Sequence, residues 1–90
     1  MDPPTPATLC TLPLGAATAE DVRATLGPES SAVRAGSLTQ LFYHYGGAVL
    51  MLELDERDVV VDAVTEGLPY PACWRGYDRF GGAAGAAPRS

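Results

Sequence analysis

The sequence predicts an α+β fold, in which a short helix packs on a three- to four-stranded antiparallel β-meander. Three features predict it: a capped helical segment, a strand-forming run that ends in two glycines, and two more apolar runs on either side of a polar turn. The chain has 90 residues, a length that suits one small domain. Hydrophobic residues make up 47% of it, which favours a globular core.

The helix is predicted to begin after Thr18, whose hydroxyl can cap the first turn, and acidic residues follow where the helix dipole favours negative charge. It should end at Gly27, because glycine readily adopts the left-handed conformation and Pro28 cannot continue a helix. Val22 and Leu26 are four positions apart and share one face. Two turns are not stable alone, so this face must lie on other structure.

The meander follows. Gln40–Tyr45 is rich in strand formers, and Gly46-Gly47 is typical of a two-residue hairpin loop. Ala48–Leu54 forms the second predicted strand, Asp55–Asp58 a polar turn and Val59–Val64 the third strand.

The turns fix a register, which pairs Tyr45 with Ala48 and Leu54 with Val59. One face is then apolar apart from tyrosine hydroxyls and should lie under the helix. It carries Leu41, Tyr43, Tyr45, Leu50, Leu52, Leu54, Val59, Val61 and Ala63. The other face mixes apolar and acidic residues, a composition too apolar for plain solvent. It carries Gln40, Phe42, His44, Val49, Met51, Glu53, Val60, Asp62 and Val64.

The domain is predicted to span residues 10–80, between a flexible arm at 1–9 and a disordered Ala/Gly-rich tail at 81–90. An aromatic segment precedes the tail and contains Tyr70, Trp74 and Tyr77 close to arginines. Tyrosine, tryptophan and arginine dominate interface hot spots, so this segment is a candidate partner contact. The alternative is that these aromatics close the core of a small domain.

The charge balance excludes several function classes. The formal net charge is −5, with 11 Asp and Glu against 6 basic residues, all of them arginine. Binding to nucleic acid or to anionic membranes needs basic residues on one face, so neither is expected. No apolar run approaches the ~20 residues of a spanning helix. The first residues show no secretion signal, which predicts a cytoplasmic protein.

The cysteines and the histidine give little chemistry. Cys10 and Cys73 are interpreted as reduced thiols, although one disulfide is the alternative. With His44 as the single histidine, no metal-ligand spacing exists, and neither a metal nor a cofactor is expected. A cysteine nucleophile would need Cys73 beside His44 and Asp62, and a carboxylate pair would need Glu53 beside Asp62. Both are weaker interpretations than surface roles, so the chain is predicted not to be an enzyme.

Leu14–Pro28, followed by the aromatic strand Phe42–Tyr45 and strands at Val49–Leu54 and Val59–Val64, resembles the SmpA/OmlA (BamE-like) and β-lactamase-inhibitor-protein-like small domains. The resemblance covers about residues 12–66. It departs from the family where Pro28 directly follows Gly27, and the lipoprotein signal of the outer-membrane members is missing. The resemblance implies a helix-on-sheet domain that binds other proteins, often through the sheet face, with no catalytic residues to carry over.

The predicted function is therefore non-enzymatic protein binding by a small acidic inhibitor, immunity or adaptor protein. Its partner is another protein, for which a basic surface would be complementary. The alternatives are a homodimeric structural or regulatory subunit and a phage-type anti-defence mimic of nucleic acid. The candidate partner-binding residues are Phe42, His44, Met51, Glu53, Asp62, Tyr70, Trp74 and Tyr77.

Overall fold

The computed structural model describes residues 2–77, which form one four-stranded antiparallel sheet with helical segments packed on it. The strand order β1-β2-β3-β4 is that of a meander, so the predicted α+β class is confirmed. The first strand, β1, was not singled out by the sequence patterns. The elements are α1 (Pro6–Leu9), α2 (Ala19–Leu26), β1 (Ser31–Ala35), β2 (Leu38–Tyr45), β3 (Ala48–Leu54), β4 (Val60–Glu66) and a 3₁₀ turn (Ala72–Trp74).

Helix α2 forms where its caps predict. The Thr18 hydroxyl accepts the backbone N–H of Asp21 at 3.2 Å, and the Asp21 carboxylate accepts the backbone N–H of Thr18 at 3.0 Å. This reciprocal capping box satisfies two donors that the first turn leaves unpaired. The helix ends at Gly27, whose φ of +83° is one that other residues rarely adopt. Val22 and Leu26 are buried against the sheet.

The Gly46-Gly47 loop sets the predicted register, since Tyr45 pairs with Ala48 and Leu41 with Leu52. The next register prediction is wrong. Leu54 pairs with Val60 rather than Val59, because the turn is one residue longer than predicted, and an irregularity at Glu53/Leu54 then adds a second residue to β4. Val60 therefore lies in the core, only 1% exposed, and not on the mixed face.

Val59 and Val61, both expected in the core, are only half-buried. Ala63, Asp62 and Val64 remain on the predicted faces, because Ala63 pairs with buried Leu52, Asp62 with Glu53, and Val64 with Met51. Beyond the irregularity the pairing is offset by two residues from the predicted register, since Leu52 pairs with Ala63. An even offset leaves each side chain on its predicted face.

The segment before α2 contributes more to the core than expected. Residues 6–9, which fall in the predicted flexible arm, form α1 with Thr5 as its cap, and Leu9 is buried at 1% exposure. Leu12 is also buried, and its carbonyl accepts the Trp74 indole N–H at 2.9 Å. Leu9 and Leu12 therefore belong to the same core cluster as Trp74.

Cys10 and Cys73 form a disulfide with their Cα atoms 5.9 Å apart. The preferred interpretation of reduced thiols is therefore wrong, and the alternative holds. Packing of Leu9 and Leu12 against Trp74 places the two cysteines side by side, although 63 positions separate them in sequence. The predicted tail at 81–90 lies outside the described residues.

Candidate functional site

The sheet face opposite α2 carries apolar side chains that are not part of the described core cluster. We call it the open face. Alternation along the strands places its side chains opposite those of the core. Apart from Val60, it keeps the members predicted for the mixed face, namely Gln40, Phe42, His44, Val49, Met51, Glu53, Asp62 and Val64.

An apolar row crosses the middle of the open face. Phe42 pairs with Met51 across β2 and β3, and Met51 pairs with Val64 across β3 and β4. Phe42 and Met51 are half-buried, whereas Val64 is 51% exposed. These side chains line a shallow concavity of about 370 Å³ together with Val49 and Glu66. The row is thus a concave apolar strip of the kind that marks interaction sites.

Polar rows flank the apolar row on both sides. On one side His44 pairs with Val49, and Val49 pairs with Glu66. On the other, Gln40 pairs with Glu53, and Glu53 with Asp62, so the two carboxylates predicted to be neighbours do lie side by side. The only arginine of the described strands, Arg34, is paired with Thr39 and lies off this face. The rim of the apolar row is therefore acidic.

Glu53 and His44 differ in accessibility. Glu53 is buried, at 7% exposure, although it lies on the open face. Its side chain, a predicted partner contact, thus offers little surface to a partner. His44 is exposed, and its backbone N–H donates to the Ser30 hydroxyl at 3.1 Å. Glu66 and Thr65 also line the concavity. The sequence pattern did not indicate them, because the third strand was predicted to end at Val64.

Of the C-terminal aromatics, Trp74 lies in the core and not on the open face. Trp74, a predicted partner contact, is only 2% exposed and belongs to the core cluster, so the folded chain offers almost none of its surface to a partner. Tyr70 packs edge-on to Trp74, with 5.6 Å between ring centroids, and the Arg75 guanidinium lies 5.7 Å from the Tyr70 ring centre. Burial raises the pKa of the Tyr70 phenol above its ordinary value. The alternative interpretation therefore holds for Trp74, which closes the core.

Tyr77 is half-buried and lies over Gly15. A Cβ atom added at Gly15 would come within 2.7 Å of the Tyr77 ring. The close approach of ring and backbone holds the end of the described chain against the loop before α2. This contact gives Tyr77 a packing role, which the alternative interpretation of the aromatic segment allows for.

The cysteine-nucleophile alternative lacks a free thiol in this structure. Cys73 is bonded to Cys10, and a disulfide sulfur is not the free thiolate that a nucleophilic mechanism requires. Within residues 2–77, no group of three or more His, Cys, Asp or Glu side chains is arranged to hold a metal ion. No helix in the same range is long and apolar enough to cross a membrane.

Comparisons with protein families, with curated proteins and with solved structures give no match to this chain. The resemblance to the SmpA/OmlA and β-lactamase-inhibitor-protein-like domains stays a prediction. The functional argument therefore depends on the geometry of the open face.

Proposed function

We propose that the chain is a non-enzymatic protein-binding module, a small acidic inhibitor, immunity or adaptor protein that holds its partner on the open face. One observation carries the proposal: the apolar row of Phe42, Met51 and Val64 on a sheet face that no described helix covers. Half-exposed apolar side chains in a contiguous concave strip gain free energy when a partner removes them from water.

The shape of the row favours a protruding partner side chain. A concavity of about 370 Å³ can accept one or two apolar side chains, with Phe42 and Met51 beneath them. Methionine adapts to irregular surfaces because its side chain is unbranched and its sulfur is polarisable. We therefore expect the partner to insert an aliphatic or aromatic residue over Met51.

The negative net charge of the chain favours a partner with basic residues around the inserted side chain. The net charge is −5, and Glu66 borders the apolar row on β4. A partner with arginine or lysine beside its apolar anchor would meet this rim with complementary potential, which speeds association and orients the encounter. Salt screens such an attraction, so the association rate should fall as ionic strength rises.

We also propose an oxidising compartment for the protein, in place of the cytoplasmic location predicted from the sequence. The Cys10–Cys73 disulfide supports it, since such bonds persist outside the cytosol and are rare within it. The partner should then be sought in the same compartment, under conditions that keep the disulfide intact.

The test compares two arginine substitutions. Met51→Arg places a charge in the apolar row, whereas Ala24→Arg adds the same side chain to an exposed position of α2. Tagged wild type and both variants, kept oxidised, are used to capture proteins from the source organism, and the captured protein is then purified and titrated. We expect wild type and Ala24→Arg to bind with equal affinity and Met51→Arg to bind at least tenfold more weakly. Equal binding by Met51→Arg would exclude the open face as the site.

A further inference from the structure

Strand β1 lies at the edge of the sheet, and no residue within 2–77 is paired with its outer side. All five of its residues are exposed, although the strand is paired along its length with β2. The beginning of β4, at the other end of the sheet, is covered. There the backbone N–H of Gly15 donates to the carbonyl oxygen of Val60 at 2.7 Å, and the backbone N–H of Val60 donates to the carbonyl oxygen of Ala17 at 2.8 Å. The β1 edge thus offers backbone groups to another strand, as unprotected edges do.

The register shows which groups these are. In an antiparallel pair, alternate residues of a strand direct their N–H and C=O groups to opposite sides. The two-residue loop at Gly36-Ser37 is closed by Ala35 and Leu38, so Ala35 and Val33 bond inward to β2. The backbone N–H and C=O groups of Ala32 and Arg34 therefore point outward, which gives two donors and two acceptors.

We propose that two copies of this chain pair antiparallel through β1, about a twofold axis beside Val33, and so join their sheets into one of eight strands. In this register Ala32 of one copy lies opposite Arg34 of the other. The two outward donors of each copy meet the two outward acceptors of its mate, so four hydrogen bonds form and none of the outward groups of Ala32 and Arg34 is left over.

The side chains favour a second copy in this register. Val33 is 48% exposed on the same side of the sheet as Phe42, and the axis places it against Val33 of the other copy. Each Arg34 faces the small Ala32, whereas a register centred on Arg34 would oppose two positive charges. The strand contains neither proline nor lysine, the residues that commonly prevent edge pairing.

This inference is independent of the proposed function, because edge pairing leaves the open face accessible. It would place two apolar rows on the same face of one continuous sheet, so that a dimer presents two sites. Failure of the edge contact would leave the open-face proposal untouched, and the converse also holds.

The experiment measures molar mass against concentration by sedimentation equilibrium of the oxidised full chain, from micromolar to near-millimolar. Ala32→Pro removes one outward N–H from each copy, and hence two of the four intermolecular hydrogen bonds, without touching a bond to β2. Ala32→Ser keeps the N–H and is the matched control. We expect wild type and Ala32→Ser to reach the dimer mass, and Ala32→Pro to dimerise at least tenfold more weakly.

Two glutamate variants at equally exposed valines separate the edge from the open face. Val33→Glu opposes two negative charges at the axis and should prevent dimerisation, whereas Val64→Glu, on β4, should dimerise as wild type does. Circular dichroism checks that each variant is folded. A wild type that stays monomeric throughout the range would overturn the proposal. So would dimerisation of folded Ala32→Pro and Val33→Glu at wild-type strength, or loss of the dimer in Val64→Glu.

Discussion

Replacing both cysteines with alanine should lower the free energy of unfolding by about 4 kcal/mol. The bond closes a loop across 63 positions. In the chain-entropy description, the denatured-state entropy removed by such a loop corresponds to about 4.3 kcal/mol at 25 °C. A domain of 90 residues has a total stability on the order of 5–13 kcal/mol. The change therefore removes a large part of what keeps the chain folded.

The assay is urea unfolding followed by fluorescence of the single tryptophan, Trp74, which is buried beside the bond. With a urea slope of roughly 1.2 kcal/mol per molar, the midpoint should fall by roughly 3 M. The control is wild type with the disulfide reduced, whose curve should coincide with that of the double variant. A loss below about 1 kcal/mol, or a wild type indifferent to reductant, would refute the entropic reasoning.

Two further predictions concern the close approach of Tyr77 to Gly15 and the buried phenol of Tyr43. Gly15→Ala should lower the free energy of unfolding by about 1–3 kcal/mol, because φ is +87° there and the new Cβ would meet the Tyr77 ring at 2.7 Å. Gly47→Ala is the control: its Cβ would enter open space, so its free energy of unfolding should be nearly unchanged in the same urea assay. Burial raises the pKa of Tyr43 to about 12, while the phenol of an unfolded chain titrates near 10. The raised pKa stabilises the fold below pH ~10, and this contribution is lost as the pH rises towards 12. The urea midpoint of the wild type should therefore fall over that pH range. The midpoint of Tyr43→Phe should fall less steeply. Equal slopes for wild type and Tyr43→Phe would contradict the assignment to this residue.

Local signals predicted helix α2 and the hairpin between β2 and β3. Thr18 and Gly27 act through their immediate neighbours, and the two glycines at 46 and 47 define a loop that closes on itself. Each of these patterns needs only a few consecutive residues, so reading the sequence was sufficient.

The register of β4 could not be predicted in this way. The run Val59–Val61 is apolar throughout, so either register buries a valine. The choice is made by the loop before α2, where Gly15 and Ala17 bond to the backbone of Val60. Such a contact joins residues more than forty positions apart, and no local pattern records it.

The candidate site was predicted in part for the same reason. The pairing of Phe42 with Met51 follows from the hairpin at Gly46-Gly47. Val64 lies beside Met51 only because β4 is offset by two residues from the predicted register. Trp74 was assigned to a surface because an aromatic residue between prolines and glycines fits a binding segment as well as a core. Its partner Leu12 lies 62 positions away, and only the folded chain brings them together.

The disulfide also determines how the domain would respond to mechanical tension. A pulling force applied to the chain outside positions 10 and 73 passes directly through the sulfur–sulfur bond, because the Cα atoms of these residues lie 5.9 Å apart. The sheet and α2 sit inside the covalent loop and carry almost none of the load. Only after reduction could the loop between the two cysteines unfold and extend under tension, which would lengthen the chain by roughly 210 Å when fully extended. The oxidised protein should therefore behave as a short, nearly inextensible link.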